Sequence, residues 1–331
     1  MDEYNPRSGE YQEFLDKKHG KLVTPDDIIE DAIKTIVGSS LVSKTRITKG
    51  EANEVYSGKT TDGQEIIIRI SHENFAKFER EKWAIEQCIK AEVPVPKVIG
   101  IKDYGQKGNH LNFCIETPLE GKPLDEIPEL REPNKKSLLD DIMKQAGEVL
   151  SKIHSVKTDG YGEFDRDGHS DVTSIKDFFL GNFYLSIDNM LEVAKKADLE
   201  PEVMRKAVGL LNNGASDYAL ESSQLTHGDW SPKHIFIKDN RISGIIDFEC
   251  AEGSDPVKDF AYWEYFSDDP HNLDFMKAGY ANKKVFDQTF YNRLHLWRLY
   301  IGVTTLGYYV EENHTSGIRH SKEKLKQDTS R

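Results

Sequence analysis

The period of the apolar residues changes twice along this chain, and those changes restrict its fold more than any other feature. Thr24-Pro25-Asp26-Asp27 reads as an N-cap, a proline at the first helical position and two first-turn acids; Ile28, Ile29, Ala32, Ile33, Ile36 and Val37 then recur at helical spacing. Gly38 ends that helix. From Leu41 to Ile70 the period is that of strands, with Asp62-Gly63 as a hairpin signal, so this part reads as a small β-meander. A helix is expected over residues 75–90, followed by the Pro-punctuated "EVPVPKVIG" and two more strands, near Ile99 and over 111–115. Past Pro123 the helical period returns over 135–156, 174–197 and 201–218, interrupted by "LTHGDWSPKHIFIKDNRISGIIDFE" at 225–249. The polar tail "NHTSGIRHSKEKLKQDTSR" reads as a segment that frays at its end.

An α+β chain of two lobes follows. Residues 1–115 form a small β-rich lobe with an N-terminal helical extension, 116–123 a connector, and 124–331 a larger, mainly helical lobe. The 331 residues are long enough for two domains. No apolar run approaches the roughly 18 to 20 residues of a spanning helix, and the opening "MDEYNPRSGEYQEF" lacks the basic and apolar regions of a secretory signal. A cytoplasmic protein with no membrane partner is expected. Cys88, Cys114 and Cys250 have no CxxC spacing and are expected as buried thiols, not as a disulfide or zinc framework. The net charge of −13 argues against nucleic acid, whose phosphates require clustered Lys and Arg, and would favour a cationic small molecule.

Three groups of residues carry candidate chemistry. On the helix of 75–90, Phe75, Phe78, Ile85 and Ile89 mark an apolar face that also holds Glu81, an acid that needs a buried partner. Arg69 is the nearest candidate, because Ile66, Ile68 and Ile70 alternate on one side of their strand and leave Arg69 on the other. The pair is either a structural strand-to-helix bridge or the clamp that kinases place on nucleotide phosphates. "TKGEANEVY" at 48–56 supplies a turn with one glycine, Gly50, which could approach those phosphates. In the stretch 225–249, Asp229 lies in a loop where a carboxylate can accept a proton from a substrate hydroxyl. His234 opens one strand of the following hairpin and Asp247 ends the other, so the two come to the same end. Such a His and Asp make either a hydrogen-bonded pair or part of a divalent cation site, although magnesium prefers an oxygen ligand to histidine.

"HGDWSPKHIFI" followed by "GIIDFECAEGSDPVKDFAY" resembles the aminoglycoside phosphotransferase family, small-molecule kinases of protein-kinase-like bilobal fold, in its His-Gly-Asp-x4-His subgroup. The resemblance extends in order and spacing over residues 42–309. It implies Asp229 as catalytic base, Asp247 as the principal Mg2+ ligand and His234 at the second ligand position, where most members have Asn. Arg69 stands where the phosphate-binding lysine is usual, and its fixed charge implies pairing with Glu81 and the phosphates in altered geometry. The resemblance also implies that the carbonyl of Thr117 and the N–H of Leu119 hold the nucleotide base, while Asp255, Asp259 and His227 brace the catalytic loop. For the acceptor side it points to Glu249, Glu252, Trp263 and Glu264, with the acidic loop 162–171, as a surface for a polycationic sugar.

The expected activity is transfer of the γ-phosphate of ATP or GTP, with Mg2+, to a hydroxyl of a small molecule. An aminoglycoside antibiotic is the first acceptor to consider; choline, another sugar or a macrolide would use the same frame. Two rivals are a catalytically silent nucleotide-binding member, and a zinc or iron hydrolase ligated by His227, Asp229, His234 and Asp247.

Overall fold

The computed structural model describes residues 9–73, 77–104, 110–181, 186–218, 220, 222–267 and 271–330. Two helices come first, α1 (Gly9–His19) and α2 (Asp26–Val37), then the meander β1 (Leu41–Ile47), β2 (Glu54–Thr60) and β3 (Glu65–Ser71). Helix α3 (Lys77–Lys90) leads to β4 (Val98–Asp103) and β5 (Asn112–Glu116), and the five strands form one antiparallel sheet in the order β1-β2-β3-β5-β4. Phe75 of the expected helix face lies outside the described residues.

The strand alternation fixes what each face of that sheet does. Ile66, Ile68 and Ile70 pack with Phe113 and Ile115 against Ile29, Ala32 and Ile33 of α2, all essentially dry, with each isoleucine and phenylalanine contributing about 1.5–3 kcal/mol. Arg69 points from the opposite face toward α3. On α3, Phe78, Glu81, Ala84, Ile85 and Cys88 are buried, whereas Ile89 is 42% exposed, so the apolar face turns through Cys88 instead of Ile89. Ala84, Ile85 and Cys88 join the apolar core of the second lobe. Helix α3 therefore spans both lobes.

Thr24 does not cap α2. Its hydroxyl bonds the Glu54 carboxylate at 2.6 Å, and the helix begins with Pro25 in the capping position and no side-chain cap. Gly38 closes it with a φ of +78°.

The two-residue strand β6 (Lys122–Pro123) pairs with the hairpin β8 (Ile235–Lys238) and β9 (Arg241–Ile245), which joins the connector to the residues behind the site. The helices of the larger lobe are α4 (Lys136–Ile153), α5 (Ile175–Gly181), α6 (Ile187–Lys196), α7 (Pro201–Asp217), α8 (Val257–Phe266), α9 (His271–Gly279), α10 (Phe290–Glu311) and α11 (Thr315–Ser330). Strands β7 (Gln224–Thr226) and β10 (Glu252–Ser254) pair antiparallel and bracket the hairpin. The segment expected as one helix over 174–197 contains α5 and α6. Among the described residues, no helix is long and apolar enough to cross a membrane.

The tail is ordered, contrary to the expectation of fraying. Leu325 and Thr329 of α11 are buried, and Asp328 meets the guanidinium of Arg298 on α10 with contacts of 3.0–3.2 Å. Cys88 and Cys114 are buried thiols, but Cys250 is exposed, because it ends a single 3-10 turn at the mouth of the site.

Candidate active site

The site lies between the sheet and the helical lobe, where β3, α3, the loop after β7 and the turn after β9 converge. Arg69 Nη1 donates to Glu81 Oε1 at 2.6 Å and to Glu116 Oε1 at 3.2 Å, and its ring-facing side covers Phe78 at 5.2 Å. Its Nη2 reaches Asp247 at 3.6 Å and Glu249 at 3.8 Å. One guanidinium thus faces four carboxylates. Burial pushes the Glu81 carboxyl up to about 8, against the pull of Arg69 and with the help of Glu116. Burial and Asp247 likewise raise Glu249. Such crowding of acids is a demand for further positive charge.

Asp229 follows Gly228, whose φ of +80° suits glycine and whose Cβ would stand 2.0 Å from the Cys250 carbonyl oxygen. One acid and two histidines hold this loop. Asp259 accepts the N–H groups of His227 at 2.8 Å and Gly228 at 2.9 Å, and bonds His154 at 2.9 Å. His227 donates from Nε2 to the Ile246 carbonyl at 2.9 Å and accepts the Asp229 N–H at Nδ1, 3.3 Å away. That pattern belongs to a neutral ring, consistent with burial, helped by His234, lowering its pKa. Both ring nitrogens are engaged, so the histidine-rich hydrolase site loses one of its four ligands.

Asp255 accepts both contacts of Arg293 Nη1 at 2.9 Å and caps α8 through the Val257 N–H at 3.1 Å. Tyr218 also donates to it.

Asp229, His234 and Asp247 each offer one ligand atom, all within 4.8 Å of one another. His234 Nε2 lies 3.0 Å from Asp247 Oδ2, while Nδ1 donates to the Asp229 carbonyl at 2.8 Å. Asp247 has a φ of +71°, a left-handed conformation that Asp tolerates and that turns its carboxylate out of the hairpin end. Burial opposes its ionisation, yet His234 and Arg69 hold the carboxyl well below the usual range. Burial disfavours the His234 imidazolium, but Asp229 and Asp247 raise the ring above its usual value. Two carboxylates and one imidazole nitrogen make a donor set that fits a divalent cation, with His234 less suited to magnesium than an oxygen would be. Lys233 Nζ sits 3.2 Å from Asp229 Oδ2.

The remaining expected residues lie in different places. Gly50 is in the β1–β2 loop with open space around it. Thr117 joins the connector to Lys97, its N–H donating to the Lys97 carbonyl and its hydroxyl accepting the Lys97 N–H, both at 2.9 Å. Leu119 packs over Gly244 of β9. Glu249 turns under the β1–β2 loop and accepts Asn53 Nδ2 at 2.9 Å. Trp263 is only 2% exposed, on the buried side of α8, and it offers no ring face to a bound molecule. Glu252 pairs with Lys258 at 2.6 Å, and Glu264 with Arg298 at 3.3 Å. The loop 162–171 packs on α3: Glu163 bonds Arg80 at 2.8 Å, and Gly168 lies where a Cβ would strike the Trp83 ring at 2.1 Å.

Residues missed by sequence reasoning include Glu116, Asn53 and Arg80, which donates to the Glu249 carbonyl at 2.8 Å. Glu116 had a signal: Phe113 and Ile115 face the core, which puts Asn112, Cys114 and Glu116 on the side of Arg69. Asn53 and Arg80 meet partners more than 160 positions away and had none.

Residues 44–280 match the model of a family described as phosphotransferase enzyme family. Hygromycin-B 4-O-kinase of Escherichia coli is 22% identical over 221 residues, 66% of this chain and 61% of that protein. Uncharacterized protein YcbJ of Bacillus subtilis (strain 168) is 25% identical over 149 residues, 45% of each chain. The chain thus spans less than two thirds of either relative. Among solved structures, a ternary complex of a thermostable mutant of aminoglycoside phosphotransferase APH(4)-Ia with ADP and hygromycin B superposes with a TM-score of 0.72. It is 18% identical, and the match covers 91% of this chain and 98% of that one. The bilobal kinase-like fold expected from the sequence is the fold observed.

Proposed function

Since the chain belongs to the phosphotransferase enzyme family, we propose that it transfers the γ-phosphate of ATP or GTP to a hydroxyl of a small molecule, foremost an aminoglycoside-type antibiotic. The observation that carries this reading is the meeting of Asp229, His234 and Asp247 within 4.8 Å, beside the Arg69–Glu81 pair. Arg69 is fixed by Glu81 and Glu116 and presents its remaining N–H groups to the donor phosphates. Residues 116–123 act as the hinge, with the Thr117 carbonyl and Leu119 N–H available to the nucleotide base and Gly50 allowing the β1–β2 loop to approach the phosphates.

Asp247 and His234 would hold Mg2+, with Asp229 beside them. When bound, the ion neutralises charge building on the transferred phosphate. Asp229 orients the acceptor hydroxyl and takes its proton, as a half-buried carboxylate held by a loop that Asp259 and His227 make rigid. Lys233, 3.2 Å from Asp229, offers a positive charge to the phosphate in transit.

Hygromycin B in a structural neighbour supports an aminoglycoside acceptor, and the net charge of −13 supports a cationic one. A cytoplasmic site of action fits an enzyme that draws on the cell's nucleotide pool. Nucleoside-diphosphate release from ATP and from GTP with Mg2+, across aminoglycosides, macrolides, choline and sugars, tests the reading with Asp229→Asn as control. Acceptor-stimulated release that vanishes in the variant, by roughly 10²–10⁴-fold, is the expected outcome. Nucleotide binding without stimulation by any acceptor would leave a silent nucleotide-binding member instead.

A further inference from the structure

Helix α1 and the β1–β2 loop meet at the mouth of the cleft. Glu51, in that loop, receives two hydroxyl groups from elements distant in sequence: Tyr11 of α1 donates to Oε1 at 2.9 Å, and Tyr308 of α10 to Oε2 at 2.7 Å. Lys18 of α1 donates to the Tyr308 oxygen at 3.0 Å and pairs with Glu312 at 3.2 Å. Glu10 pairs with Arg319 of α11 at 3.2 Å, and Phe14 packs edge-on against the buried His314 ring at 4.4 Å. Helix α1 is thus seated on the last two helices of the larger lobe and holds the loop with its inner face.

The same loop is fastened on its other side. Lys49 bonds Glu126, just beyond the connector, and Asn53 bonds Glu249. Three side chains of one short loop therefore reach three separate parts of the opposite lobe. Burial first, then the Glu51 carboxylate, raises the Tyr308 hydroxyl far above its ordinary value, so it stays a donor.

A loop that must admit a nucleotide and then enclose its phosphates needs a closed state that is stable yet reversible. Hydrogen bonds to a carboxylate at the cleft's rim supply that, since each can exchange with water. We propose that Glu51 is a positioning residue whose carboxylate, gripped by Tyr11 and Tyr308, latches the β1–β2 loop over the donor phosphates, with helix α1 as the strap. The placement over donor phosphates rests on the kinase reading; the latch itself does not.

Amide hydrogen exchange on the full chain tests it, comparing wild type with the Tyr11→Phe/Tyr308→Phe double variant and with Glu51→Gln. Losing the hydroxyl bonds to a charged acceptor should speed exchange of residues 48–53 by roughly tenfold, the weaker end of what such bonds contribute. Dissociation of a fluorescent, non-hydrolysable nucleotide with Mg2+ should accelerate by a similar factor. The nucleotide KM should rise more than kcat falls. Glu51→Gln, which keeps one acceptor oxygen, should lie between the two. Unchanged exchange and unchanged dissociation in the double variant would overturn the latch, as would an increase spread evenly over the five-stranded sheet. Failure of wild type to bind nucleotide would overturn the kinase reading instead, and exchange measured without nucleotide would still decide the latch.

Discussion

Arg69 Nη1 and Glu81 Oε1 lie 2.6 Å apart, and the same carboxylate oxygen accepts the Phe248 N–H at 3.1 Å. A single side chain of α3 thereby joins a strand of the small lobe to the residue after Asp247. Glu81→Ala leaves Arg69 with Glu116 as its near partner and takes the acceptor from the Phe248 N–H, and the cost should be about 1–3 kcal/mol in chemical denaturation. Glu81→Gln keeps an acceptor for both donors and should cost clearly less. Equal losses for the two would mean that charge, not geometry, is what α3 supplies.

On the proposed reading His234 stands at a ligand position where magnesium would favour oxygen. His234→Asn should therefore preserve Mg2+-dependent transfer, whereas His234→Ala should weaken Mg2+ affinity by more than roughly tenfold, the lower end of what loss of even an outer partner costs. Chelation of Mg2+ should abolish transfer in all three proteins. A titration of rate against free Mg2+ checks this. Indistinguishable Mg2+ dependence in His234→Ala would remove His234 from the ligand set.

Local spacing made part of this site legible. The alternation of Ile66, Ile68 and Ile70 was enough to put Arg69 opposite the core, and the hairpin length was enough to bring His234 to Asp247. Residues whose surroundings come from distant elements were not legible in the same way. Trp263 follows "DFAY" and reads as an aromatic at a rim, but enclosure of α8 by the helices around it buries its ring. The tail reads as polar because Asp328 and Thr329 look solvated until Arg298 and the α10 surface are seen beside them. Ile89 failed for a subtler reason: α3 carries its apolar face through Cys88, so one step around the helix leaves Ile89 in water.

Acid stability should depend on Glu54. Burial works against its charge, but His72 at 2.9 Å, Thr24 at 2.6 Å and Tyr56 at 2.5 Å hold the carboxyl down to about 2 from an ordinary 4.5. The folded-state value is below that of the unfolded chain, so the stabilisation is complete above pH 4.5 and is lost as pH falls toward 2. The shift corresponds to about 3 kcal/mol. Urea midpoints at intervals between pH 6 and pH 2 should fall for wild type more steeply than for Glu54→Gln. Parallel curves for the two proteins would assign acid loss to other groups.

The last helix should matter more than its composition suggests. Arg298 is 4% exposed and divides its guanidinium between Asp328 at 3.0–3.2 Å and Glu264 at 3.3 Å, so α8, α10 and α11 share one cation. Asp328→Ala leaves that cation buried with one partner, and a loss of about 3–5 kcal/mol is expected. Lys326, two residues away on the exposed side and paired with Glu200 at 2.9 Å, should cost under about 0.5 kcal/mol when replaced by Ala. The contrast separates burial from helix propensity, since both replacements put alanine into the same helix. Near-equal effects on the denaturation midpoint would show that α11 is held by its apolar residues, Leu325 foremost, and not by the Arg298–Asp328 pair.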